Sequence, residues 1–109
     1  MPELYLKYTD ESDIEKRILV ESEDFFLGRH SENDLTVANP KLSRTHAKIE
    51  RYDDVYLLSD FDSSNGTKLN DFEVTEPTKL AHGDIIDLGG GLVIEVEFFS
   101  DEPEQEYDP

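Results

Sequence analysis

The chain has 109 residues, 27 acids against 10 lysines and arginines, a net charge of -17 and no cysteine. That length fits one compact domain. The missing thiols exclude disulfides and Cys-based zinc sites, and the acidic balance argues against nucleic acid and anionic membranes, which need a basic face.

Hydrophobic residues make up 36% of the chain, enough for one core. No apolar run approaches the roughly 20 residues of a membrane helix. The start, "MPELYLKYTDESD", lacks the basic and apolar regions of a signal peptide. The expected setting is the cytoplasm, or the nucleus of a eukaryote, and the expected state is a monomer.

In chain order, "ELYLKYT" alternates, with Leu4, Leu6 and Tyr8 on one face. Residues 10 to 17 have room for one helical turn, though the alternation around them is the stronger signal. "IEKRILVE" and "DFFLG" follow as strands, the latter ending in Gly28. "HAKIERY" alternates again, and Asp53-Asp54 reads as a tight turn into "VYLLSD". Further strands are predicted at 67 to 69, 78 to 80, 84 to 88 and 92 to 99. Asn65-Gly66 is a strong short hairpin signal. Many short strands and no helical stripe predict an all-β sandwich. Residues 100–109, "SDEPEQEYDP", read as a disordered acidic tail, leaving 1–99 as the domain.

The charge is uneven. Between Arg29 and Arg51, five basic residues (Arg29, Lys41, Arg44, Lys48, Arg51) face three acids (Glu32, Asp34, Glu50), a local +2. Three polar clusters fall in predicted connections: Gly28-Arg29, Ser43-Arg44-Thr45-His46 and Ser63-Ser64-Asn65-Gly66-Thr67. Each alone reads as a strand end, a turn or a structural histidine. Together they supply what a dianionic phosphate wants, namely guanidinium, hydroxyl and backbone N–H donors. Arg29, Ser43, Arg44, Ser64 and Asn65 are the candidate binding residues.

Ser43 and His46 also invite a hydrolase reading. No G-x-S-x-G elbow supports it, and residues three apart at a strand entrance point in different directions. His30, His46 and His82 are scattered, and "DFDSSNG" lacks calcium-loop spacing. Neither an enzyme, a metal site nor a cofactor is expected.

The ordered elements "FFLGRHSENDLTV", "NPKLSRTHAKIE", "YLLSDFDSSNGTKLN" and "KLAHGDIIDLGG" resemble the forkhead-associated (FHA) domain over about residues 24 to 98. The resemblance implies a sandwich of about eleven strands whose loops at one end bind phosphothreonine peptides in kinase-dependent signalling or complex assembly. It implies phosphate contacts for Arg29, Ser43 and Arg44, a pocket position for Ser64, and a clamp on the peptide backbone for Asn65. It makes Lys41 a candidate specificity residue. It gives Gly28, His46, Gly66, Asn70, Gly83 and Asp84 structural roles. Ser64 stands where the family commonly has Thr, and Asp71 where a Gly usually follows Asn70. Thr9, followed by Asp-Glu-Ser-Asp, is a further candidate ligand, captured by the same or a neighbouring molecule. The alternative function is an FHA-like scaffold whose contacts do not depend on phosphate.

Overall fold

A computed structural model describes residues 3–99. The predicted tail, 100–109, lies outside the described residues. The described chain contains no helix and eleven strands. They are β1 (Glu3–Thr9), β2 (Glu15–Leu19), β3 (Asp24–Gly28), β4 (Leu35–Thr36), β5 (Ala47–Tyr52) and β6 (Val55–Asp60), followed by β7 (Thr67–Leu69), β8 (Phe72–Glu73), β9 (Thr78–Lys79), β10 (Ile85–Leu88) and β11 (Leu92–Phe99). The all-β sandwich expected from the alternation is the observed fold. One sheet has six strands in the order β2-β1-β11-β10-β7-β8, and the other five in the order β4-β3-β5-β6-β9.

The period-2 pattern builds the core. Leu4, Leu6 and Tyr8 of β1, with Leu92, Ile94 and Val96 of β11, turn inward from the larger sheet. Phe25 and Leu27 of β3, Ala47 and Ile49 of β5, and Tyr56 and Leu58 of β6 meet them from the smaller one. Burying each large aliphatic side chain contributes roughly 1.5–3 kcal/mol, which is what selects this register. Asp53, at φ 55°, makes the predicted tight turn between β5 and β6. Residues 10 to 14 form a turn held by the Asp10 carboxylate, which accepts bonds from the N–H groups of Ser12 (2.8 Å) and Ile14 (3.0 Å).

Asn65-Gly66 does not close a hairpin. β6 lies in one sheet and β7 in the other, so the connection between them crosses the sandwich. Gly66 takes a left-handed φ of 85° because that crossover turns sharply, not because two strands pair there.

Register places the loops. Leu27 pairs with Ala47 and Ala47 with Asp60 in the smaller sheet; Thr67 pairs with Leu88 and Leu88 with Leu92 in the larger. The connections 29–34, 37–46, 61–66 and 89–91 therefore all leave the same end of the sandwich. Asn70 and Asp84 sit at the opposite end of β7 and β10. There Asn70 Nδ2 donates to Asp84 Oδ1 (2.9 Å), Asn70 Oδ1 accepts from the Ile85 N–H (2.9 Å), and Asp84 Oδ2 accepts from the Ala81 N–H (2.7 Å). Gly83, at φ 90°, joins the same turn through its N–H to Val96 O (2.8 Å).

A candidate anion site at one end of the sandwich

The site is built on backbone before any side chain faces outward. Gly28 ends β3 fully enclosed, and a Cβ there would collide with the Arg44 carbonyl oxygen. That carbonyl accepts from the His30 N–H (3.1 Å) and from Asn33 Nδ2 (2.6 Å). Arg29, the next residue, donates its own N–H to Ser43 O (3.0 Å) and its Nε–H to Leu42 O (3.0 Å). One of its five donors is thus used to aim the guanidinium, and four remain.

Ser43 sits between two anchors. Leu42 before it is buried in the core, and the Ser43 N–H donates to Nδ1 of the buried His46 (3.0 Å). That bond leaves the ring proton on Nε2, which donates to Gly66 O (2.8 Å). One imidazole therefore ties the 37–46 loop to the 61–66 loop. Both ring nitrogens face backbone groups, so His46 is not placed as a base for Ser43. Ser43 Oγ instead accepts from the Ser64 N–H (3.0 Å) and keeps its own proton to donate. Asn65 Nδ2 adds a third tie, to Lys41 O (2.8 Å).

The 61–66 loop has its own brace. Asp60 accepts from the Ser63 N–H (3.1 Å), from Ser63 Oγ–H and from Thr67 Oγ1–H (2.7 Å), and Ser63 Oγ in turn accepts from the Gly66 N–H (2.9 Å). Burial pushes the Asp60 carboxyl up, but the bonds donated by Ser63 and Thr67 outweigh it and hold the carboxyl below the usual aspartate value.

The turn between β10 and β11 forms a floor. A Cβ on Gly89 would stand 2.7 Å from Lys41 O, and one on Gly91 would stand 2.7 Å from Asn39 Oδ1. Asn39 stitches the floor to the 37–46 loop, giving Nδ2–H to Gly91 O (3.0 Å) and accepting the Lys41 N–H at Oδ1 (2.9 Å).

The sequence-selected residues thus divide. Arg29, Lys41, Ser43, Arg44, Ser64 and Asn65 come together on adjoining loops, with Gly28, His46 and Gly66 beneath them. Asn70, Gly83 and Asp84 lie at the other end. The +2 window also divides. Lys48 pairs with Glu50 (3.2 Å) and lies over the Phe26 ring (5.9 Å) on the outer face of the smaller sheet, while Arg51 Nε donates to Asp53 O (3.1 Å) at the far turn. The segment is continuous in sequence, but β5 carries its second half away from the loops. Arg29, Lys41 and Arg44 remain exposed at the site, and none of the three makes an ion pair among the described residues. Asn33, Asn39, Gly89 and Gly91 escape the sequence reading because they act on or pack against other loops, and Asp60 because its partners Ser63 and Thr67 reach it only once the crossover folds back. Only the three-glycine run, longer than a two-residue turn needs, signals a close approach.

The FHA domain sequence pattern matches residues 25–89. The chain belongs to the FHA domain family. FHA domains are phosphothreonine-binding modules, not enzymes. Human proliferation marker protein Ki-67 is 38% identical over 61 residues, which is 56% of this chain and 2% of Ki-67. The chain thus spans a small fraction of that relative. An FHA domain solved in work on phosphothreonine-dependent FHA domain interactions superposes with a TM-score of 0.77 at 29% identity, covering 87% of this chain and 95% of that one. The FhaA FHA domain, solved in complex with the intracellular domain of Rv3910, superposes with a TM-score of 0.76 at 30% identity, covering 86% and 99%.

Proposed function

We propose that this FHA domain binds phosphothreonine in extended peptides, with the phosphate held by Arg29, Ser43 and Arg44 and the peptide backbone by Asn65. The carrying observation is that Arg29, Lys41 and Arg44 stand exposed beside the Ser43 hydroxyl and make no ion pair among the described residues, in a chain with 27 acids. Three cations on hydrogen-bonded loops suit an anion, and a phosphate near -2 supplies most of the attraction. Ser64 lines the place of the threonine methyl, and Lys41 favours an acidic residue in the peptide. Affinity is on the order of micromolar, because few contacts offset the ordering of a flexible peptide.

Thr9 fits the ligand role poorly. It pairs with Glu15 of β2, and the residues after it are held in the Asp10 turn, so they are not extended.

Isothermal titration with matched peptides tests the proposal. The phosphothreonine peptide binds, the unphosphorylated one does not, and phosphoserine loses about 1 kcal/mol with the methyl contact. Arg29→Ala or Ser43→Ala weakens binding by more than about tenfold with the thermal transition nearly unchanged. Wild-type affinity in both variants, or a partner pulldown that survives phosphatase treatment, favours the phosphate-independent scaffold instead.

A further inference from the structure

The four asparagines of the sequence, Asn33, Asn39, Asn65 and Asn70, stand before Asp34, Pro40, Gly66 and Asp71. An asparagine loses its amide when the next backbone nitrogen attacks its side-chain carbon. Proline has no N–H to give up, and an aspartate side chain crowds the attack; glycine does neither. Asn65 is therefore the labile one by covalent structure. Bulk does not shield it: Asn65 is exposed, and a Cβ on Gly66 would meet nothing within 4 Å.

Hydrogen bonds do what bulk does not. The Gly66 N–H, whose nitrogen is the nucleophile, donates to Ser63 Oγ (2.9 Å). The Gly66 carbonyl is held by His46 Nε2 (2.8 Å) and by the Gly89 N–H (2.9 Å). The Asn65 amide, whose Nδ2 is the leaving group, donates to Lys41 O (2.8 Å). Ring closure asks the carboxamide to turn from Lys41 onto the Gly66 nitrogen, and asks that nitrogen to give up the proton it shares with Ser63. Both steps need the crossover to open first.

We propose that Asn65 is a spontaneous deamidation site, gated by opening of the crossover from β6 to β7, and that its conversion switches off phosphopeptide binding. The Gly66 nitrogen loses its proton to solvent and bonds to Asn65 Cγ; the Cγ–Nδ2 bond breaks, and the amide nitrogen leaves as ammonia. Water then opens the succinimide ring at either carbonyl, leaving aspartate or isoaspartate at position 65. One water enters, one ammonia leaves, and nothing is oxidised or reduced. The product carboxylate has no proton to give Lys41 O, so a tie between the loops is lost. It also adds a negative charge beside Arg29, Lys41 and Arg44, which repels an incoming phosphate. Isoaspartate further lengthens the backbone next to the carbonyl that His46 holds. The effect on binding rests on the phosphothreonine reading above; the chemistry at Asn65 does not.

The test follows amide-to-acid conversion at each asparagine by peptide mapping and mass spectrometry in mildly alkaline buffer. The folded chain, the chain in urea, and the folded Ser63→Ala and Ser63→Thr variants are incubated side by side. In urea Asn65 is expected to convert ahead of Asn33, Asn39 and Asn70. In the folded chain it converts at least about tenfold more slowly; Ser63→Ala recovers much of that loss, and Ser63→Thr, which keeps the acceptor, does not. Asn33 and Asn70 have side-chain bonds of their own, so unchanged rates there report that the variants are folded. Conversion of Asn65 as fast in the folded chain as in urea overturns the gate, as does a Ser63→Ala protein that keeps the wild-type rate. Converted wild-type chain, separated on an anion-exchange column by its extra charge, is expected to bind a phosphothreonine peptide more than about tenfold more weakly than unconverted chain. Equal binding overturns the switch. Unconverted chain that does not prefer the phosphorylated peptide overturns the phosphothreonine reading and leaves the chemistry at Asn65 standing.

Discussion

His46 shows how much one side chain does in this site. It is fully buried, accepts the Ser43 N–H and donates to Gly66 O, so the loop before β5 and the crossover from β6 to β7 share one imidazole. Removing it leaves a part-buried donor and a part-buried acceptor unpaired and opens a cavity, together costing about 2–4 kcal/mol. His46→Ala is therefore expected to lower stability by about 2–4 kcal/mol and to weaken phosphopeptide binding as well, whereas Arg29→Ala weakens binding alone. Parallel denaturant titrations and calorimetry separate the two; a His46→Ala protein of wild-type stability contradicts the bridging role. Arg29 and Ser43 stand out in the sequence because guanidinium and hydroxyl donors are the types an anion needs. Asn33 and Asn39 do not, because an asparagine that holds a distant carbonyl looks like any turn residue until the fold brings that carbonyl to it.

At the level of elements, the long strands follow from alternation, since hydrophobic burial selects a period that six or more residues display. β4 and β8 do not, being two residues each, too short to show a period. β4 is set by parallel pairing with β3, and β8 by its pairing with β7. The crossover from β6 to β7 is the least legible connection, because Asn-Gly signals a hairpin and here serves a passage between sheets. What fixes its shape is Asp60 at the end of β6. The carboxyl is held below its ordinary value of 3.8, so it contributes stability that is fully present above that value and is lost as pH falls through the lowered one. Asp60→Asn keeps the shape but loses the ionised acceptor. It is expected to cost about 1–2 kcal/mol at pH 7. The gap between wild type and variant then narrows as the pH drops below 3.8, where the unfolded chain's Asp60 protonates before the folded one's does. Urea midpoints at pH 7 and pH 3 give the comparison. A gap that stays constant at both pH values means the ionised carboxylate is not what braces the loop.

Charge belongs to the whole molecule. The sequence total of -17 argues against polyanionic partners, yet the proposed ligand is an anion, and distance reconciles the two. β11 alone runs eight residues, about 26 Å, away from the site end, so much of the acidic body lies far from Arg29, Lys41 and Arg44. The Debye length is about 30 Å at 0.01 M salt and about 8 Å at 0.15 M. At low salt an approaching phosphopeptide therefore feels the whole negative body, and at physiological salt mainly the nearby cations. Association is expected to accelerate as salt rises between these limits, the reverse of ordinary electrostatic steering. Dissociation accelerates too, because the contact ion pairs weaken. Stopped-flow measurements across that range distinguish the two regimes. An association rate that falls steadily with added salt means the three cations dominate even at long range, and the acidic body then exerts no repulsion on the encounter.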